Sequence, residues 1–460
     1  MRPSNRGYSG NVPLAWIPAL ICAAAVGCGD DDATGPTVPP AGTLPVETTP
    51  QLQACVTDVA PSGALLELCL PDTWNGEILV WAHGYTNPGP DRPPYTPLEL
   101  PADEASGFPV KNIIRNVGTE AAGFYGYAGT SYRRNGLVAP EAADDLEEAS
   151  AWVREQLEDF AADRGFVSLP VVTYLVGASE GGLATVLAAE RQAAGDSFDG
   201  ALALCAPVGD FERQIEWFGD FRVVYDYFFP GIMPGSAVEI PDEENVVTDA
   251  NWEATVAAIR AALDTDPDAT RQLAAVTDVP RDAGDPETLR EATTQILRYS
   301  FMGTNDATGV LGGNPFGNQS VEYSGSDDDV ALNAGVARHA ADGIALAAIE
   351  AVFQTGGRPR IPLLAMHTNR DPVTPIWHTD LYQAKNAGAE LAVTLIPVDR
   401  FGHCGFSLPE LLAGFSQLVL EVKGQELTTS ASAFPEAGMQ REFMDLARRA
   451  GSKPIVIEKQ

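Results

Sequence analysis

Short apolar runs alternate, over most of the chain, with segments whose apolar positions recur at steps of three and four. Runs of the first kind predict buried strands, and segments of the second predict helices with one face in a core. Gly76–Tyr85 (GEILVWAHGY), Gly123–Tyr132 (GFYGYAGTSY) and Val171–Val176 (VVTYLV) read as strands, as do Gly200–Pro207, Ile361–His367 and Leu391–Val398. One helix is predicted from about Pro140, with Leu146, Val153, Leu157 and Phe160 on a shared face, and an alanine-rich helix reaches Glu190. This order predicts an α/β chain with a doubly wound, mostly parallel sheet covered by helices.

The alternation lapses between Gly209 and Gly357, where helical patterns continue but no buried strand is evident. Asp285-Pro286 has the form of an N-cap followed by proline at the first helical position, and Leu289, Ile296 and Leu297 then share a face. Another helix is expected from about Asp328 to Phe353. Ile215–Gly235 (IEWFGDFRVVYDYFFPGIMPG) is rich in aromatic residues, which either pack a small helical unit or line a binding cavity. Residues 209–357 are therefore expected to form a large helical cap inserted between core segments 51–208 and 358–460.

The amino-terminal segment changes this picture. Arg2 and Arg6 precede the apolar run Val12–Val26, which Pro13 and Pro18 interrupt, a pattern that fits a secretory signal better than a membrane span. Ala25–Cys28 (AVGC) resembles a bacterial lipobox, so residues 1–28 are expected to be a signal peptide. Lipidated Cys28 would be the anchor to the membrane, with ordinary cleavage as the alternative. Residues 29–50, rich in Pro, Thr and Gly, have the composition of a flexible tether. The expectation is an exported bacterial protein, either held at the outer face of the cell envelope or secreted.

Cysteine usage points the same way. Beyond the signal segment stand Cys55, Cys69, Cys205 and Cys404, an even number with three possible pairings. Cys55 and Cys69 flank two strand-like runs joined by Pro61-Ser62-Gly63, which predicts a stapled hairpin and leaves Cys205 and Cys404 for each other. The cysteines lack metal-ligand spacing and the five histidines do not cluster with them, so no metal is expected. With 63 acidic against 29 basic residues, the net charge of -34 argues against a nucleic-acid partner. A 45% hydrophobic content over 460 residues excludes a disordered chain.

The candidate chemistry centres on Tyr174–Ala184 (YLVGASEGGLA), where a strand breaks into small residues around Ser179 and a helix begins. Gly177-Ala178-Ser179-Glu180-Gly181 matches G-x-S-x-G, in which a serine sits on a sharp bend and the glycines relieve crowding between strand and helix. A hydroxyl needs a base and an orienting group to act as a nucleophile. Asp371 follows one strand and His403 follows the next, so the chain order is Ser, acid, His, with each residue just past a strand's carboxyl end. His367 and His378 are rival bases expected to pack or to lie at the surface. Asp399 and Asp380 are rival acids, less suitably placed. The oxyanion needs two backbone donors, expected from Glu180 and from Tyr85 in preference to Gly84, in the loop His83-Gly84-Tyr85. The Tyr85 ring either flanks substrate or packs on its loop, and the Glu180 side chain is either solvated or positioned to disfavour anionic substrates.

Gly177–Gly181, His83-Gly84-Tyr85, Asp371 and His403 together resemble the working parts of the α/β-hydrolase superfamily, most closely its secreted esterases and lipases. The resemblance extends over about Gln51–Gly424. It implies an α/β-hydrolase fold and a serine hydrolase that cleaves carboxylic esters through an acyl-enzyme, with no cofactor. The partner expected is a small-molecule or polymer ester. The HGYT stretch is similar to the oxyanion loop of polyester hydrolases, which are uncapped. A cysteine beside the catalytic histidine resembles the tannase and feruloyl-esterase relatives, where aromatic esters are cleaved, although Ala178 here precedes the serine. An exported serine peptidase of the same fold is the main alternative, and a binding protein without chemistry is a third reading.

Overall fold

A computed structural model describes residues 52–88, 117–119, 121–164, 171–192, 197–241, 249–425, 427, 429–430, 438–449 and 457–458. The expected signal peptide, tether and lipidation site lie outside the described residues.

A nine-stranded sheet organises these residues, in the order β1-β2-β5-β3-β6-β7-β8-β9 with β4 paired to β5. The strands are β1 (Leu52–Val59), β2 (Leu65–Pro71), β3 (Trp74–Ala82), β4 (Gly118–Thr119), β5 (Gly123–Thr130), β6 (Val172–Ala178), β7 (Gly200–Leu204), β8 (Leu363–Arg370) and β9 (Thr394–Phe401). From β5 through β9 every neighbouring pair is parallel, whereas β2 runs antiparallel to both β1 and β5. The mixed α/β class and the mostly parallel sheet are those the sequence pattern predicts, and the strand order is that of an α/β-hydrolase fold.

Side chains from the central strands alternate between two apolar layers, as a sheet covered on both faces requires. Ile78, Leu175, Ala201 and Leu363 enter one layer together with α1 (Ala139–Arg164) and α2 (Glu180–Arg191). Leu79, Tyr174, Leu202 and Leu364 enter the other, beneath a carboxyl-terminal helix at Leu408–Lys423. In α1 the predicted face is buried at Leu146, Val153 and Leu157, while the Phe160 side chain lies outside the described residues. The strand predicted to reach Tyr85 ends at Ala82, where the chain turns out of the sheet.

The chain passes between β7 and β8 through α3 (Phe211–Phe228), α4 (Asp249–Thr265), α5 (Pro267–Thr277), α6 (Pro286–Leu311), α7 (Asp329–Gly335) and α8 (Gly343–Ala348). No strand occurs there among the described residues. Helices α3 to α7 share a separate apolar cluster containing Phe221, Tyr225, Phe229, Ile296 and Leu297, whereas Ala345 of α8 packs into the layer that holds α1 and α2. Asp285 caps α6 by accepting from the Glu287 amide at 2.9 Å.

The single helix expected over Asp328–Phe353 is broken. Two short helices and a π turn (Ile349–Phe353) replace it, separated by an irregular stretch at Val336–Asp342. Asn318 takes over the backbone hydrogen bonds there: its side chain accepts from the His339 amide at 2.7 Å and donates to the Ala337 carbonyl at 2.9 Å. Partners of this kind compete with the helical ladder. The remaining helices are α9 (Trp377–Asn386), α10 (Leu408–Lys423) and α11 (Met439–Arg449).

Candidate active site

Ser179 lies between β6 and α2 with φ 55° and ψ -122°, a conformation that a non-glycine residue adopts only under constraint. The constraint is visible at its neighbours. A Cβ on Gly181 would stand 2.6 Å from the Ala82 carbonyl carbon, and one on Gly177 would stand 2.6 Å from the Gly181 carbonyl carbon. Both glycines are therefore required by contact between the end of β3, the end of β6 and the first turn of α2. The bend presents Ser179 at the carboxyl edge of the sheet, where β8 and β9 also end.

At that edge three predicted residues meet. His403 Nε2 is 2.9 Å from Ser179 Oγ, and His403 Nδ1 is 2.8 Å from Asp371 Oδ2. Asp371 is fully buried and held from several sides: its Oδ1 accepts from the amides of Val373 (2.9 Å) and Thr374 (3.0 Å). Thr374 Oγ1 lies 3.1 Å from Asp371 Oδ2, 3.3 Å from His403 Nδ1 and 2.8 Å from the Cys205 carbonyl oxygen, to which it donates. Sequence reasoning missed Thr374. Its signal is present in Asp371-Pro-Val-Thr374, where an aspartate can accept from amides two and three residues on.

The rival residues have other partners. His367 is buried with Nε2 2.6 Å from the Thr374 carbonyl oxygen and 3.8 Å from Asp371, and burial lowers its pKa. His378 is also buried, accepting from the Gly209 amide at Nδ1 and bonded to Gln214 through Nε2. Its pKa is driven well down, chiefly by burial. Neither histidine is a surface residue, because each satisfies a carbonyl, amide or side chain inside the fold. Asp399 pairs with Arg370 at the surface, and Asp380 is exposed on α9.

Two disulfides frame the sheet. Cys55–Cys69 joins β1 to β2 at directly paired positions. Cys205–Cys404 links the end of β7 to the residue after His403, with the Cα atoms 5.3 Å apart. Cys205 and Cys404 both have positive φ, so two left-handed residues flank the histidine loop. Among the described residues, the two groups that bring cysteine near histidine or glutamate are these same disulfides, whose sulfurs are not free thiolates.

A cavity with about 910 Å³ of empty space, part of it open to solvent, adjoins Ser179. Residues of α3 and α6 form half of its wall, with Phe211, Ile215 and Phe218 of α3 and Phe316 beyond α6 supplying apolar surface and Gly303 and Ala307 leaving room. The aromatic segment is thus divided: Ile215 and Phe218 face the cavity, while Phe221, Tyr225 and Phe229 pack the helices' own core.

Tyr85 and Glu180 border the cavity beside Ser179, and among the described residues neither backbone amide has an acceptor. The Tyr85 hydroxyl lies 3.1 Å from Asp306 Oδ2 and 3.3 Å from the Met302 carbonyl oxygen, and its ring meets Tyr299 edge-on. Burial, with Asp306 and Glu180 nearby, pushes this phenol well above its ordinary pKa. The Glu180 side chain is not solvated: it is 6% exposed, and its Oε1 accepts from the amides of Val138 (2.7 Å) and Ala139 (3.2 Å) at the start of α1.

No protein-family model and no curated protein matches the chain. Solved structures with some likeness include an esterase from Aspergillus oryzae, at 16% identity, TM-score 0.39, and coverage of 80% of this chain and 78% of that one. A rice cell wall degrading esterase from Xanthomonas oryzae has 13% identity and TM-score 0.38, over 81% of this chain and 88% of its own. Candida antarctica lipase A in its closed state has 14% identity and TM-score 0.38, over 89% and 94% of the two chains.

Proposed function

We propose that the chain is an exported serine hydrolase that cleaves carboxylic esters. The observation that carries this reading is the unbroken line of hydrogen bonds from Ser179 through His403 to buried Asp371, opening on an apolar cavity. Ser179 Oγ attacks the acyl carbon while His403 Nε2 takes its proton. Asp371 holds the ring so that Nδ1 keeps its proton and faces away from the serine. The amides of Glu180 and Tyr85 receive the oxyanion. His403 then protonates the leaving alcohol, and water attacks the acyl-enzyme by the same path in reverse.

Helices α3 to α8 act as a cap over this site, since α3 and α6 supply the wall that faces the serine. An apolar wall suits the hydrocarbon of an ester better than the polar backbone of a peptide, so ester cleavage is preferred to the peptidase alternative. The two disulfides support export to an oxidising compartment. Among the described residues no helix is long and apolar enough to cross a membrane.

The test is hydrolysis of matched short-chain esters and peptide amides by the full chain and by Ser179→Ala. Ester turnover abolished in the variant is the expected result. Amide cleavage exceeding ester cleavage, or ester turnover that survives the substitution, overturns the reading.

A further inference from the structure

Ester cleavage as proposed needs the Tyr85 amide held in place while charge develops on the acyl oxygen, because a donor that drifts stabilises the oxyanion less. The sheet does not hold it: β3 ends at Ala82, and the hydrogen-bonded ladder stops short of Tyr85. Other partners fix the loop on both sides of that residue. The His83 carbonyl accepts from the Tyr132 hydroxyl at 3.0 Å, just past β5, and the Thr86 carbonyl accepts from the Gly136 amide at 2.8 Å.

A further tie comes from α6. The Tyr85 hydroxyl donates to Asp306 Oδ2 at 3.1 Å, and the same oxygen accepts from the Leu137 amide at 2.6 Å. Gly136, with φ 90°, lies so close against this carboxyl group that a Cβ there would stand 2.7 Å from either oxygen. Asp306 thus holds Tyr85 directly and Thr86 through the Gly136-Leu137 segment. Asp306 itself does not line the cavity, whereas Tyr85 and Leu137 both do. It can therefore act on a substrate only through the residues it holds.

We propose that Asp306 is a positioning residue that sets the Tyr85 amide for the oxyanion, so that α6 completes the oxyanion hole of the core. The inference rests on the ester-hydrolase reading. Both ties end on an acceptor oxygen, so hydrogen bonding rather than charge is what Asp306 supplies, and an amide oxygen in the same place does as well. The carbonyl oxygen of the bound ester is a weaker acceptor than the oxyanion, so a loosened Tyr85 costs turnover more than substrate binding.

The test compares the full chain with Tyr85→Phe, Asp306→Ala, Asp306→Asn and the double variant Tyr85→Phe/Asp306→Ala. Hydrolysis of ethyl hexanoate is followed at steady state, and the affinity for 1,1,1-trifluoro-2-octanone by fluorine NMR. Ser179 Oγ adds to the carbonyl carbon of this ketone, its proton passes to His403, and the carbonyl oxygen becomes an oxyanion that needs the same two amides. Removing an oxyanion donor outright costs about 100- to 1000-fold in kcat, and displacing one costs less. In Tyr85→Phe and in Asp306→Ala, kcat should fall about tenfold with KM within about twofold, and ketone affinity should fall with kcat/KM. Asp306→Asn should keep kcat within about threefold of the parent, and the double variant should lose no more than about twofold beyond Asp306→Ala.

Parental kcat in Tyr85→Phe and Asp306→Ala, a KM that rises as far as kcat falls, or losses that multiply in the double variant overturns the proposal. Asp306→Asn as impaired as Asp306→Ala overturns it in favour of a role for the charge. Tyr85→Phe deletes one hydroxyl and keeps the ring, so it decides the matter even where Asp306→Ala fails to fold. A parent that neither cleaves the ester nor takes up the ketone overturns the ester-hydrolase reading and this inference with it, whereas an active parent whose variants match it overturns this inference alone.

Discussion

Gly181→Ala tests whether the turn around Ser179 sets the geometry of the site. The added Cβ would lie 2.6 Å from the Ala82 carbonyl carbon and closer still to the carbonyl oxygens of Ala82 and His83. Ordinary contact begins near 3.4 Å, and every crowded atom is backbone, so no rotamer change relieves the clash. The end of β3 or the first turn of α2 must withdraw by about 1 Å. Overpacking of this kind costs about 1–3 kcal/mol of stability. The displaced segment leads directly into Tyr85, whose amide is the proposed oxyanion donor, and a misplacement of about 1 Å costs about a hundredfold in rate. Steady-state kinetics on a short ester, with thermal unfolding followed by circular dichroism, should show kcat reduced about a hundredfold in a folded protein. KM should change far less, because α3 and α6, which are not displaced, form half of the cavity wall. Gly284→Ala, where a Cβ meets nothing within 4 Å, is the control. A Gly181→Ala enzyme with kcat within twofold of the parent and unchanged stability would refute the reasoning.

Asp371→Asn keeps the shape of the acid but turns an amide toward His403 Nδ1; kcat should fall about ten-thousandfold, with substrate binding retained in a Ser179→Ala background. Reduction of Cys205–Cys404, or its replacement by serines, should free the His403 loop and abolish turnover, whereas serines at Cys55 and Cys69 should leave turnover intact because that bridge staples a remote hairpin. Folding raises the Glu180 pKa from 4.5 to about 8, so the native state holds a proton that the unfolded chain releases as pH rises between those values. Stability is lost over that window, and Glu180→Gln should gain on the parent by up to about 1.4 kcal/mol per pH unit from pH 5 to 8, levelling off above. Denaturant melts at stepped pH measure the difference, and a flat difference contradicts the burial of that carboxyl.

Much of this architecture is legible in the sequence because the sheet is covered on both faces. Strands such as β6 and β7 then appear as continuous apolar runs, and the order of strands and helices follows directly. Ser179, Asp371 and His403 are legible because each stands at the end of such a run, where the chain must turn. What is illegible depends on contacts between distant segments. Asn318 breaks the helix expected over Asp328–Phe353 by bonding to backbone some twenty residues away, and no local periodicity reports that. Glu180 looks like a solvated residue in the first turn of a helix until α1 is seen to begin against it. Thr374 acquires its position between Asp371 and Cys205 only when β7 and β8 lie side by side.

The Cys205–Cys404 bridge closes a covalent ring around Asp371 and helices α3 to α8. A protease that nicks the chain at one point between α3 and α8 opens the ring but separates nothing: the portion bearing Ser179 and the portion bearing His403 remain a single molecule until the sulfurs are reduced. The nicked protein would run as one species without reductant and as two with it. The chain between β7 and β8 can thus be cut while one bond keeps the segments bearing Ser179 and His403 joined.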